Sequence, residues 1–425
     1  MSIYSGAVST RILEPVSHSQ RRTEFRINDD EVYLSNIRLI NVGADTDTSS
    51  EGNGSVGLPS IIKSIHLYSG NQLLDQVTDW NMWSCFKGIN HENSTQSSIR
   101  RENDGNAFGF EAIGSTEWHT TEEFPNREGI KQTQVNEESN LSFDDSDSSN
   151  TAWISLREVF GFLKSSPVVP TNILRNLRLV INYNNRTEMN SIALDDNIGT
   201  LDVYRPLLIV DEMNESPQRS ASMSGYTGIT YESVENDVIV DKAIVGPADG
   251  TKAVENTYLL NGFNQKYVDK FVVALQPTLA TTWEGVASNT NNELVGNLGS
   301  MACNKSRLQF RVNGQNRFMG SSVEGKMKRL GYVVDYCGEM NVPVGGNFTN
   351  LTNTEVVSTT DYIGHIDYTV CPVEEYCNEL KLTFGRDAVG ATGNDNVNQQ
   401  LLINCFGVVR KNLRVNRDGS FVISY

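Results

Sequence analysis

Long hydrophobic runs are missing from this sequence. No stretch of about eighteen apolar residues occurs in its 425 positions, so a transmembrane helix is not expected. Basic charge is scarce as well: 35 Lys and Arg stand against 52 Asp and Glu, a formal net charge of −17. Phosphate backbones attract chains with a dominant positive field, so sequence-specific nucleic-acid binding is not expected. Cysteine is sparse. Cys85, Cys303, Cys337, Cys371, Cys377 and Cys405 form no CxxC pair, and reduced, buried thiols are expected instead of a disulfide framework. Met1 to Ser9 has neither a basic nor an apolar region of the kind a signal peptide needs. The sequons at Asn53, Asn347 and Asn350 then carry little meaning in so Asn-rich a chain.

Motifs for chemistry are also lacking. Gly320–Met327 reads GSSVEGKM and fits part of a phosphate-cradling loop, but Met327 stands where a Ser or Thr would hold magnesium. Gly52–Gly57 reads GNGSVG, yet it follows an acidic loop, and Pro59 spoils the helix it should open. The five histidines, His18, His66, His91, His119 and His365, contain no i, i+4 pair. His365 shares a strand face with Asp367 and reads as a hydrogen-bonded sheet residue. Asp45 and Asp47 begin like a calcium loop, but Ser50 occupies the position that demands Gly. The acids Asp144, Asp145 and Asp147 read as a solvated loop. There is no GxSxG and no cysteine in a nucleophile signature. No metal, nucleotide or cofactor is expected. Carboxylates paired only in three dimensions stay open, as does a glycan site lined by some of Trp80, Trp83, Trp118, Trp153 and Trp283.

What the chain does have is alternation. Leu177, Leu179, Ile181 and Tyr183 alternate with Arg178, Val180 and Asn182. The same period of two recurs at Leu308–Val312, Leu380–Phe384 and Phe421–Tyr425. It puts one set of residues on a core and the other toward solvent. Further β-rich runs lie at Val32–Val42, Ile61–Tyr68, Leu207–Val210, Val268–Leu275, Leu330–Tyr336, Tyr362–Val370 and Leu401–Val409. Strands in both halves, separated by long polar loops, predict an all-β sandwich architecture. One helix is predicted over Ser155–Lys164. Ser155 and Glu158 have capping-box spacing, and Leu156, Val159, Phe160 and Leu163 form an apolar stripe. Ala44–Gly57, Ile89–Asn150 and Asp211–Gly228 read as loops. The last lies at mid-chain between halves of similar character, which suggests duplication of one fold, although no clean sequence repeat accompanies it. Arg11, Arg21, Arg22 and Arg26 make the N-terminal segment locally basic, as an arm contacting a partner would be.

Three segments carry a resemblance. LYSGNQLLDQ (Leu67–Gln76), WISLREVFGFLK (Trp153–Lys164) and VPTNILRNLRLVINYN (Val169–Asn184) follow one another in the order seen in the first jelly roll of the major capsid proteins of Polinton-like viruses and virophages. Those proteins belong to the adenovirus-hexon and tailless-phage lineage. The similarity is specific over about residues 25–210 and general beyond. It implies two consecutive eight-stranded jelly rolls, with the helix inserted in the first: an N-terminal arm at 1–24, a first jelly roll at 25–212, a linker at 213–228 and a second jelly roll at 229–425. It further implies a homotrimer with six barrels, a pseudo-hexagonal capsomer tiled into an icosahedral shell around double-stranded DNA. The chain would be a structural protein of the virion, not an enzyme, assembled inside the host cell. Its partners would be itself, neighbouring capsomers, and penton and minor capsid proteins. Minor proteins or an internal membrane would lie between shell and genome, since the chain has no strongly basic tail. Arg11, Arg21, Arg22 and Arg26 would then belong to an interior or intersubunit arm. The competing reading is an all-β glycan-binding viral surface protein, spike-like or lectin-like, which would leave several Trp exposed. A sandwich enzyme acting on carbohydrate would need two carboxylates about 5–10 Å apart in a cleft.

Overall fold

The computed structural model describes residues 8–27, 32–46, 61–80, 83, 152–166, 168–185, 201–214, 228–241, 253–277, 307–317, 323–324, 368–387, 401–416 and 420–425. In the first half the strands are β1 (Val8–Leu13), β2 (Ser17–Ser19), β3 (Arg22–Ile27), β4 (Val32–Val42), β5 (Ala44–Thr46), β6 (Ile62–Ser69), β7 (Gln72–Thr78), β8 (Ala152–Ser155), β9 (Val169–Pro170), β10 (Leu177–Tyr183), β11 (Leu201–Val203) and β12 (Leu207–Asn214). Two short helices, α1 (Leu156–Val159) and α2 (Gly161–Ser165), follow β8. The second half holds β13 (Gly228–Asp241), β14 (Ala253–Leu259), β15 (Lys266–Pro277), β16 (Arg307–Val312), β17 (Gln315–Asn316), β18 (Val323–Glu324), β19 (Tyr368–Cys377), β20 (Leu380–Asp387), β21 (Leu401–Val415) and β22 (Phe421–Ser424).

The sheet order is that of a jelly roll, twice. In the first half the sheets run β1-β12-β4-β8 and β2-β3-β10-β6-β7; in the second they run β13-β21-β15-β19 and β14-β20-β16-β17. With eight principal strands numbered in order within each half, both halves read 1-8-3-6 facing 2-7-4-5. The pairings are antiparallel throughout. The duplication suggested by the two β-rich halves is therefore a repeat of topology, carried by pairings and not by residue identities.

A local detail repeats too. Strands four and five of each half form a two-residue hairpin, closed by Ser69 opposite Gln72 and by Val312 opposite Gln315. Gly70 (φ +58°) makes the first turn. Asn313 (φ +49°) and Gly314 (φ +83°) make the second, the left-handed pair that matches strand twist. Each turn is tied to the connection between strands six and seven. The Gly70 N–H donates to the Arg175 carbonyl at 3.1 Å, and the Asn313 side-chain oxygen accepts the Asn378 N–H at 2.8 Å.

Alternation puts Phe25, Leu39, Leu67, Leu179, Ile181, Leu208 and Val210 in the first core and Phe271, Phe310, Leu382, Phe384 and Val409 in the second. Phe271 meets Phe263 edge-on at 4.7 Å and stacks on Phe310 at 5.9 Å, geometries aromatic quadrupoles favour.

Three expectations are corrected. The segment 1–24 is not an arm over its described length. Residues 8–13 are β1, laddered to β12 from Val8 opposite Met213 to Leu13 opposite Leu208, and residues 17–24 lie in or between β2 and β3. The first barrel thus begins well before residue 25. The few apolar residues here suffice because the strand is held by a sheet edge nearly two hundred residues away. The single helix predicted over Ser155–Lys164 is two helices. Phe160 between them is extended (φ −104°, ψ 122°), and Ser155 makes no side-chain cap because it ends β8 opposite Arg38. Finally, β12 runs to Asn214 and β13 starts at Gly228, so the expected linker 213–228 overlaps a strand at each end. The predicted loop Ile89–Asn150, the run Leu330–Tyr336 and the motif Gly52–Gly57 lie outside the described residues.

A truncation beginning at Glu24 tests the reassignment of the N-terminus. It removes β1 and β2, and each net backbone hydrogen bond lost is worth about 0.5–1.5 kcal/mol. The expected outcome is a melting temperature lower by about 10 °C or more, measured by calorimetry. Unchanged melting would mean that the strand is dispensable.

Candidate functional site: the joint between the barrels

The feature with the densest buried chemistry lies between the two barrels. Asp75, on β7, is 1% exposed. Its Oδ2 accepts the Phe162 N–H at 2.9 Å, at the start of α2, and its Oδ1 accepts the Ser233 hydroxyl at 2.6 Å and its neighbour Gln76 N–H at 2.9 Å. A carboxylate at the first free N–H groups of a helix suits both their unsatisfied donors and the local positive field. Ser233 belongs to β13, so this one carboxylate is held by both barrels.

The network continues into the second barrel. The Lys411 ammonium, on β21, donates to Ser233 Oγ at 3.0 Å and pairs with Glu235 at 2.9 Å. Lys266, on β15, takes the other oxygen of Glu235. Two carboxylates and two ammonium groups thus alternate through a region that water barely reaches. Burial pushes the Asp75 pKa up; the Lys411 charge and the donors from Phe162, Ser233 and Gln76 pull it down, and burial prevails. Burial also pushes Glu235 up, but Lys411 and Lys266 outweigh it and hold that carboxyl below its ordinary value.

Around this network the barrels share one apolar core. Tyr231 meets Phe162 edge-on at 5.4 Å, and its hydroxyl donates to the Leu74 carbonyl. Trp83 packs on Phe406 at 5.5 Å. Val272, Val370, Phe406 and Val408 belong to the same apolar cluster as Leu74 and Phe162, although they lie on strands of the second barrel. Asn236 donates to Asp79 at 2.7 Å and to Asn404 at 3.2 Å. Gly161 makes the close approach possible: a Cβ there would overlap the Glu232 carbonyl oxygen of β13. The break at Phe160 is part of the same geometry, since it starts a new helix with a glycine against that strand.

The residues singled out from sequence fall elsewhere. Arg11 pairs with Glu212 at 2.7 Å; Arg22 and Arg26 both pair with Glu24, at 3.2 and 3.0 Å. Arg21 lends its carbonyl to the Tyr183 N–H. These arginines are parts of strands and a turn, and they do not meet in one site. Trp80 and Trp83 are buried, while Trp153 is 47% exposed. Cys371, Cys377 and Cys405 are buried and free. Burial raises the Cys371 thiol to about 12 and Cys377 to about 11, far from thiolate reactivity at neutral pH. A cleft of about 300 Å³ beside β13 is lined by Glu235, Asp237 and Phe263, among others. Its acids have partners within the protein: Glu235 the two lysines, and Asp237 the Gly262 N–H. Among the described residues no group of His, Cys, Asp and Glu could hold a metal ion. Sequence reasoning missed the joint. Its one signal was the apolar–acidic LLD of β7, a charge placed inside a strand.

Two jelly rolls of equal topology, fused through a shared core, make a distinctive frame. The fold is the double jelly roll of viral major capsid proteins. It superposes on PBCV-1 Vp54, fitted into a reconstruction of the virophage Sputnik, with a TM-score of 0.61 at 11% identity, covering 99% of this chain and 97% of that one. The mavirus major capsid protein gives 0.50 at 10% identity, with 100% and 91% covered. The Faustovirus major capsid protein gives 0.54 at 6%, with 97% and 91% covered. At such identities the likeness is one of fold. No protein-family model and no curated protein matches the sequence.

Two variants test the joint. Gly161→Ala places a methyl group against backbone, and overpacking of this kind costs about 1–3 kcal/mol or more; chemical denaturation should show it as a lower midpoint. Asp75→Asn tests the charge. A folded pKa above the ordinary value of about 3.9 means that Asp75 contributes most below that pH and loses its contribution as pH rises through the folded value. The melting difference between Asp75→Asn and wild type should shift in favour of the variant between pH 4 and pH 8. A difference that stays constant with pH would show that burial does not perturb Asp75.

Proposed function

We propose that this chain is a major capsid protein that forms pseudo-hexagonal homotrimeric capsomers in the icosahedral shell of a double-stranded DNA virus. The observation that carries this reading is the joint. A chain of two like barrels held at one orientation by a buried polar network is a rigid third of a six-barrel ring. A flexible linker would leave that orientation undefined. Full-length superposition on major capsid proteins of large DNA viruses and virophages supports the same reading.

The role is structural: catalysis and cofactors are no part of it. The partners are other copies of the chain, then penton and minor capsid proteins. With a formal net charge of −17 the shell protein does not itself condense the genome. Minor proteins or an internal membrane lie between shell and DNA. The place of action is the virion, after assembly inside the host cell. Of the three Trp described, one is exposed, so a lectin-like surface gains no support from them.

Mass photometry and negative-stain imaging of the purified protein test this. The expected result is a particle of three times the 47.2 kDa chain mass, flat and hexagonal in outline, or closed shells. A monomer at all concentrations would overturn the reading.

A further inference from the structure

We infer that β22 and the residue after it, Tyr425, are the clasp of the joint: they hold two lysines of the second barrel on Glu235 and thereby fix the barrels to one orientation. The inference concerns a single chain and stands apart from the capsomer reading.

Strand register brings the clasp to the joint. β21 is flanked on one side by β13 along nearly its whole length, from Leu401 opposite Asp241 to Arg414 opposite Gly228. On its other side β15 accompanies it only as far as Arg410 opposite Tyr267. β22 takes up the vacated lane, with Ser424 opposite Asn412 and Phe421 opposite Val415. One step beyond these pairings, Lys266 of β15 and Tyr425 both arrive beside Lys411. The turn into β22 is closed by Asn416, whose N–H donates to the Ser420 carbonyl at 2.7 Å and whose side-chain amide donates to the Ser420 hydroxyl at 2.9 Å.

The apolar face of β22 is turned to the contact between barrels. Ile423 is opposite Leu413, and Leu413 is opposite Ile229. Residues opposite one another share a face. Leu413 is buried in the shared apolar cluster with Phe162 and Tyr231, and Phe421 and Ile423 pack against that cluster. Val422, on the other face, is 52% exposed.

Tyr425 answers a problem of charge. Lys266 and Lys411 share one carboxylate, Glu235, and their side chains are only 19% and 2% exposed. Two ammonium groups on one carboxylate leave positive charge in excess, and Asp75 is linked to them through Ser233. The Tyr425 ring lies 4.6 Å from the Lys266 ammonium and 5.1 Å from that of Lys411. The negative face of an aromatic ring attracts cations at this range, more strongly where they are desolvated. One ring thus holds both ammonium groups. Through Lys411 it acts on Ser233 and Asp75, and so on the bond from the Phe162 N–H of the first barrel. Tyr425 is therefore a positioning residue for the whole network. With the clasp open, the ammonium groups draw in water, and the barrels, each keeping its own core, turn against one another.

Hydrogen–deuterium exchange of the full chain, read by mass spectrometry, tests the clasp through Tyr425→Ala and Tyr425→Phe. In Tyr425→Ala, exchange should rise about tenfold or more in the peptides that span the joint, over Phe162 and over residues 231–235, because local opening sets the rate there. Exchange in β10 and β16, inside the two barrels, should stay at the wild-type rate. Tyr425→Phe keeps the ring and should match wild type throughout. Phe421→Ser/Ile423→Ser, which detaches β22 from the apolar cluster, should reproduce the Tyr425→Ala pattern. Wild-type exchange at the joint in Tyr425→Ala, or in the double serine variant, overturns the inference. A rise spread evenly over β10 and β16 overturns it too, since that marks a general loss of stability. So does Tyr425→Phe behaving as Tyr425→Ala, which would assign the effect to the hydroxyl. A failed clasp leaves the capsomer reading standing, and a monomeric wild type leaves the clasp standing.

Discussion

Asp75 sits where water barely reaches, and the groups that satisfy it come from distant parts of the chain. β7 supplies the carboxylate, α2 an N–H, β13 a hydroxyl, and β21 the nearest ammonium. Taking such a group out of water is costly unless each partner arrives in place. Removing one member of a buried charge pair costs about 3–5 kcal/mol, because another charge is left without compensation. A sliding or tilted arrangement of the barrels would leave charges in that state. Apolar contacts such as Trp83 on Phe406 supply adhesion, but they are tolerant of small shifts. The polar network is not, and Gly161 lets the backbones come close enough for it to form.

The rest of the architecture follows from this fusion. Because the second barrel's 1-8-3-6 sheet is covered by the first, its strands carry apolar residues on both faces, as Phe271 and Val272 show on β15 and Cys405 and Phe406 on β21. The first barrel's equivalent sheet carries Leu39, Leu208 and Val210 inside and is mixed outside, where the Arg38–Asp211 pair and Trp153 share a face with the buried Tyr33 and Met213. Two copies of one topology have therefore diverged where their surroundings differ. They have stayed alike where a local constraint is the same, as in the two-residue hairpins tied to the strand six to seven connection.

How legible this was in the sequence depended on which side of a strand faced what. β10, β16 and β20 were readable, because one face meets apolar core and the other meets polar surroundings. β13 was not. Its buried positions include Ser233 and Glu235, which look like solvent-facing residues until the Asp75 carboxylate and Lys411 are placed against them. The helix after β8 was legible as an apolar stripe, but its break at Phe160 answers to β13 of the other barrel, some seventy residues on. The segments that carry the family resemblance, Leu67–Gln76 and Trp153–Lys164, contain Asp75, Gly161 and Phe162. The joint was thus written in the stretches that looked familiar, without any sign of what they touch.

By itself the sequence determined an all-β chain of two similar halves with little charge for nucleic acid, because alternation and net charge are local or additive properties that need no partner. Tertiary structure alone decided that residues 8–24 are strands of the first barrel, that β13 is a buried strand, and that the halves share a core. Each of these depends on a pairing between residues some 150 to 200 positions apart, as between Arg11 and Val210 or Asp75 and Ser233. A polar side chain carries no local mark of whether water or a distant carboxylate will satisfy it.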